Sequence, residues 1–245
     1  MNVLGFAFVG LSAFFLLGLS LIKRKTLPQL RVISALTRMY RSIGLSVEDG
    51  TRLLIALGRT SLLTPSGGAP LAGLGMLRHL TERTSLSDRP PVAIAGESAL
   101  ALLAQDTLEA GYQAAGAGEY YEPTSGRLTG MTPFSSIAGA MPILSDENVS
   151  STVMIGHFGL EAALLAEAAE RENTFLLGSS DELAAQAALY ASAQDVLLGE
   201  ELFAVGAYLG ATPSHTASLT VQDILRWGII VVLVGGAALK LLGLF

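Results

Sequence analysis

The chain contains no cysteine. Disulfides, thiolate metal sites and cysteine nucleophiles are therefore excluded. Lysine is missing from the whole middle, with none between Lys25 and Lys240. A Walker-type phosphate loop needs a lysine at its end, so that chemistry is excluded there too. Histidine is scarce: His79, His157 and His215 are the only three in 245 residues. Basic charge is also thin. From Pro90 to Gln222 only Arg127 and Arg171 are basic, against sixteen Asp and Glu. A surface that tracks phosphates needs clustered Lys and Arg, so nucleic acid is not an expected partner.

What the chain has in excess is apolar residues, at 51%, with only 15% charged. The excess lies at the two ends. Val3 to Ile22 carries no charge, and Ile224 to Phe245 is apolar except for Arg226 and Lys240. About 20 apolar residues cross a bilayer as a helix, so both runs are expected spans. A cleaved signal would show a positive start and a small-residue cleavage site. The first run has neither, so it is expected to stay as an anchor.

Lys23, Arg24, Lys25, Arg31, Arg38 and Arg41 follow the first run, and nothing basic precedes it. The positive-inside rule then puts this side in the cytoplasm. The expected placement is the inner (plasma) membrane, with both termini outside and the central domain cytoplasmic. These six residues and Trp227 are the expected membrane-surface set, in contact with lipid headgroups. The domain reading is a transmembrane helix at 1–22 and a basic juxtamembrane helix at 23–50. An α/β domain at 51–212 and a linker with the second span at 213–245 complete it. The 23–50 segment has an apolar stripe of Leu30, Ile33, Leu36, Met39, Tyr40 and Ile43. It reads either as a basic helix on the membrane surface or as a helix packed on the body.

Five short apolar runs in the middle each end in glycine: 52–58, 91–96, 152–156, 174–178 and 195–199. Helical patterns follow each one. Uniformly apolar strands alternating with helices predict a Rossmann-like α/β domain. The expected architecture is a mostly parallel five-stranded sheet with helices on both faces. Glycine at each strand end suits the sharp turn into a helix. Ser98, Ser180 and Asp181 are expected helix caps. The stretch 116–151 is too long for an ordinary connection and reads as an insertion.

In open parallel sheets, ligands bind beyond the carboxyl ends of the strands. Arg59, Thr60, Glu97, His157, Glu161, Ser179 and Glu200 are the crevice candidates on that basis. His157 and Glu161 stand at i, i+4 and would share one helix face. None of the five turns reads G-x-G-x-x-G, so a dinucleotide cofactor is not expected. G-x-S-x-G is absent as well, which removes the corresponding hydrolase elbow. No catalytic residue, cofactor or metal is assigned. Glu119, Glu122, Asp146 and Glu147 supply oxygen ligands around the insertion, but without EF-hand spacing.

Alanine-rich helices near 162–169 and 184–191 permit close packing. Gly228, Gly235, Gly236 and Gly243 recur in the second span. Small residues let membrane helices approach, which suits a homo-oligomer. Other membrane-complex subunits are further possible partners.

Three runs carry a family resemblance: "GHFGLEAALLAEAA", "LLGSSDELAAQAALYASAQDVLLGEELFAVGAYLG" and "SLTVQDILRWGIIVVLVGGAALKLLG". With "TPSGGAP" and "GRLTGMTPF" they span most of the chain. Together they resemble an uncharacterised prokaryotic membrane-protein family, a domain of unknown function. The resemblance implies no activity and no site residues. The expected function is a membrane-anchored oligomeric scaffold or assembly subunit, more a binder than an enzyme. The alternative is a small-ligand sensor or enzyme using the strand-end crevice.

Overall fold

Residues 31–60, 63–210 and 213–241, with positions 10, 14, 17 and 18, are described by the computed structural model. The span expected at 3–22 and the cluster Lys23–Arg24–Lys25 lie outside the described residues. The chain divides into two units: Val32–Val205, and Met1–Arg31 with Gly206–Phe245.

The first unit is built on one sheet of six strands, all pairs parallel, in the order β3-β2-β1-β4-β5-β6. The strands are β1 (Arg52–Gly58), β2 (Val92–Ala95), β3 (Gly126–Leu128), β4 (Val149–His157), β5 (Phe175–Ser180) and β6 (Asp195–Leu197). That order is the doubly wound one, with its reversal between β1 and β4. Helix α1 (Ser34–Glu48) precedes the sheet. The crossovers are α2 (Gly68–Thr84), α3 (Ser98–Ala114), α4 (Pro133–Asp146), α5 (Ala162–Arg171) and α6 (Leu183–Ser192). Helix α7 (Glu201–Leu209) follows β6.

Both sheet faces are covered, which is why the strands read as unbroken apolar runs. Leu54, Ala56, Val92, Ile94, Met154 and Leu176 point to the face packed by α4, α5 and α6. Their neighbours Leu53, Ile55, Leu57, Ala93, Val153 and Ile155 are equally buried on the other face. There α2 comes so close that a methyl group on Gly73 would lie 2.6 Å from the Ile155 carbonyl oxygen.

The expected count of five strands is corrected to six. The extra strand, β3, lies inside the segment read as an insertion, and α4 follows it. Residues 116–151 are thus largely β3 and the regular crossover helix that carries the chain from it to β4. Helix α4 starts with a capping box of Thr132 and Ser135. It buries Ile137, Ala140, Ile143 and Leu144 despite Pro142 inside it.

Helix α1 settles the two readings of the basic segment. It packs on the body, with Ala35, Leu36, Met39 and Ile43 buried. Ser42 and Ser46 bond the Ser151 hydroxyl at the start of β4, at 2.5 and 2.8 Å. Arg38, expected at the membrane surface, instead forks onto Asp195 at the start of β6, with Nε to the two carboxylate oxygens at 2.9 and 2.7 Å. Asp195 is buried, so it demands a cation. Arg31 and Arg41 are exposed.

Tyr112 of α3 is fully buried, and its hydroxyl has no hydrogen-bond partner. Burial, reinforced by the Glu122 charge, pushes its pKa up to about 12. An unfolded tyrosine ionises near 10. Between these values the unfolded chain sheds its proton first, so stability falls as pH rises from about 10 to about 12. Tyr112→Phe should flatten that fall in urea unfolding followed by circular dichroism. Tyr40 and Tyr121, also raised by burial, leave a residual slope. Parallel pH profiles for the two chains would contradict the assignment.

In the second unit, α8 (Pro213–Leu241) is one continuous helix. Among the described residues it is the one helix long and apolar enough to cross a membrane, over Leu219–Leu241. This candidate stretch begins before Ile224, where the sequence pattern starts it, and takes in polar Thr220, Gln222 and Asp223.

Candidate functional site

The reversal between β1 and β4 is where a doubly wound sheet opens a crevice at its carboxyl edge. Here that edge is pinned by close backbone contact. Gly58 ends β1 at φ +74, and a methyl group there would lie 2.3 Å from the His157 carbonyl oxygen. The Arg59 amide donates to that same oxygen at 2.9 Å, and the Gly96 amide donates to the Gly58 carbonyl at 3.0 Å. Pairing thus continues past the last strand residues of β1 and β2.

His157 closes β4, and its Nδ1 lies 2.7 Å from Asp181 Oδ1, just after β5. Both side chains are largely buried, at 29% and 16% exposed. The pairing follows from register, since Gly156 stands opposite Ser180 and the next residue on each strand meets its neighbour. Ser180 Oγ accepts from the Phe158 and Glu182 amides at 3.1 and 3.2 Å and donates to the Phe158 carbonyl at 2.8 Å. It therefore ties the turn after β4 to the turn after β5.

The expected His157–Glu161 helix pair does not form. Helix α5 starts at Ala162, so residues 158–161 are turn. Glu161 folds back and its Oε1 accepts from the Gly159 amide at 3.0 Å. A methyl group on Gly159 would lie 2.6 Å from Glu161 Oε2 and 3.4 Å from Glu182 Oε2, so two carboxylates flank this glycine.

The remaining candidates scatter. Glu97, not Ser98, caps α3, accepting from the Leu100 amide at 2.8 Å. Ser179 is fully buried inside the sheet, where it donates to the Leu197 carbonyl at 3.0 Å. It is removed from the crevice set because a strand residue one step short of the edge points into the core. Thr60 shares a hydroxyl contact with Thr64 at 3.0 Å in the loop after β1. Glu200 is exposed beyond β6.

Arg59 is the cation of this edge. Its stem crosses the end of β2, since a methyl group on Gly96 would lie 2.9 Å from Arg59 Cβ and 2.8 Å from Ser136 Oγ. Its Nε is shut from solvent without a hydrogen-bond partner. Among the described residues no three His, Asp or Glu converge as metal ligands. Glu147, weighed as a cation ligand, is taken by Arg52 and Arg127, which both pair with its carboxylate. A groove of about 380 Å³ lined by Met141, Pro142, Ser145, Ala168 and Arg171 lies at the ends of α4 and α5. That is the opposite edge of the sheet, because these helices run against the strands.

The family profile for DUF6754, a domain of unknown function, matches residues 2–245. The chain belongs to this family. No curated protein and no solved structure matches it. The DUF6754 assignment covers the sheet, the turns at its carboxyl edge and the C-terminal helix alike, so these are parts of one unit of inheritance.

Sequence patterns alone do not reveal Asp181 as the histidine's partner or Ser180 as the link between turns. Strand register is the signal that carries both.

Proposed function

We propose that the protein is a membrane-anchored, self-associating assembly subunit whose α/β domain acts by docking rather than catalysis. One observation carries this. Each of the last four strand-to-helix turns, after β3, β4, β5 and β6, exposes large apolar side chains at the carboxyl edge. Exposed apolar surface held at one edge is the mark of an interaction site. The basic residues after the first apolar run favour a cytoplasmic domain at the inner (plasma) membrane with both termini outside. Gly228 and Gly235 favour contact between spans, because no described atom lies within 4 Å of where their side chains would begin. The full chain in mild detergent should run as an oligomer by mass photometry. Gly228→Leu with Gly235→Leu should shift it towards monomer. A strictly monomeric native particle overturns self-association.

A second reading, a small-ligand sensor or enzyme, is favoured by Arg59 Nε, a buried donor lacking an acceptor. An anionic ligand over the end of β2 would satisfy it, beside the His157–Asp181 pair. Inorganic phosphate and nucleotides should then raise the melting temperature of the full chain, and Arg59→Met should cancel the rise. No shift with any anion removes this reading.

A further inference from the structure

We infer that the carboxyl edge of the sheet docks a cationic amphipathic helix of a partner protein. This rests on reading the edge as a docking surface and adds the chemistry of what docks there.

Apolar side chains scattered singly over a surface are ordinary. These are not scattered. Met131 and Phe134 follow β3, Leu160 follows β4, Leu183 follows β5, and Leu198 and Phe203 follow β6. Their exposures run from 42% to 80%. Parallel strands of one sheet end along a line, so these side chains are carried on one rim. Strands stand about 4.8 Å apart, so six strands place β3 and β6 roughly 24 Å from each other. At 1.5 Å rise per residue, a helix of about 16 residues covers that length.

Charge selects among occupants. Glu161, Asp181, Glu182, Glu200 and Glu201 lie in or at the mouths of these turns, and Glu97 follows β2. Among the described residues the bases of this edge are Arg59, after β1, and His157, paired with Asp181. Carboxylates and leucines alternate in sequence, as at Leu160-Glu161 and Glu182-Leu183. A second copy apposed through this rim would bring the same six carboxylates against themselves, and such like-charge contact is costly. An anionic lipid surface is repelled for the same reason. A helix with one apolar and one basic face satisfies both features of the rim.

The test uses the full chain in nanodiscs of zwitterionic lipid. The probes are two fluorescein-labelled 16-residue helical peptides with a leucine face, one with lysine and one with glutamate on the other face. The lysine peptide should bind by fluorescence anisotropy, and added salt should weaken it. Leu160→Ser with Leu183→Ser should weaken it about tenfold, and Glu182→Lys with Glu200→Lys should do the same. Glu167→Lys with Glu170→Lys, on the outer side of α5, should leave it unchanged. The proposal is overturned if the glutamate peptide binds equally, if the α5 pair matters as much as the rim pair, or if the serine pair changes nothing.

Mass photometry on the serine pair separates the two readings. Loss of oligomers without lysine-peptide binding assigns the rim to a second copy, so the docking reading stands and the cationic partner falls. If neither assay responds to rim changes, both fall. The chain has no native cysteine, so a dye on Leu183→Cys is site-specific. Quenching of that dye by brominated lipid would give the rim to the membrane and overturn the proposal.

Discussion

Gly58→Ala is expected to remove a large share of the domain's stability. Alanine at φ +74 costs about 1 kcal/mol through backbone strain alone. Collision costs more. The new methyl group would lie 2.3, 2.8 and 2.9 Å from the His157 oxygen, nitrogen and carbonyl carbon. All three atoms are backbone, so no side chain can swing away. Relief requires β1 and β4, the central pair of the sheet, to part at their carboxyl ends. The amide bond from Arg59 to His157 would go with them. The expected loss is above about 4 kcal/mol, a large share of the roughly 5–15 kcal/mol that holds a domain folded. Gly116→Ala supplies the control, because Gly116 has φ +71 but nothing within 4 Å of the new atom. It should cost only about 1 kcal/mol. Circular dichroism in urea is the measurement, since the single tryptophan, Trp227, lies in α8 and reports poorly on the sheet. Equal costs at the two glycines would show that close strand approach is not the constraint.

Glu147→Gln should give the second largest effect. Glu147 sits between α4 and β4 at the amino edge of the sheet. Arg52 of β1 and Arg127 of β3 both pair with its carboxylate, and Arg89 Nη1 donates to its carbonyl at 3.1 Å. Arg52 is 19% exposed and Arg127 is 33% exposed. Glutamine keeps the shape but removes the charge that faces the two guanidiniums. Breaking a fully buried pair costs about 3–5 kcal/mol; with partial solvent access the expected loss is about 2 kcal/mol. Arg78→Ala breaks the exposed Arg78–Glu82 pair instead and should cost under about 0.5 kcal/mol. Denaturant midpoints of the two variants decide the matter. A Glu147→Gln cost no larger than that of Arg78→Ala would show that this convergence is incidental. The rim on the far edge should keep its peptide binding in either variant.

Five strands were legible because each contains a short apolar run ending in glycine, and burial on both faces keeps polar residues to the strand ends, as at Ser150–Thr152 and Ser179–Ser180. β3 was not legible. It is three residues, Gly-Arg-Leu, paired to β2 alone, and its middle residue is an arginine used for an ion pair. Helix α4 lies in the stretch whose length reads as an insertion, and Pro142 interrupts its helical pattern although a proline there removes only one amide donor. The site was legible at the level of the edge and illegible at the level of partners. His157 was found because it is rare. Asp181, 24 residues on, was missed because helical spacing favours Glu161, whereas the contact is made by strand register. Ser179 and Ser180 differ by one residue and face opposite ways, so a one-residue error in the strand end exchanged a core hydroxyl for the turn-linking one.

Helix α1 comes first in the domain yet is clamped to its last strand, 157 residues later, through Arg38 and Asp195. On a ribosome adding about 5–20 residues per second, some 8–30 s separate the synthesis of the two halves of that clamp. During that interval α1 can rest on β1 and, once it is made, on β4 through Ser42, Ser46 and Ser151, while Arg38 still lacks its counter-charge. The Arg38–Asp195 pair closes only once β6 has emerged, shortly before the C-terminal helix is made.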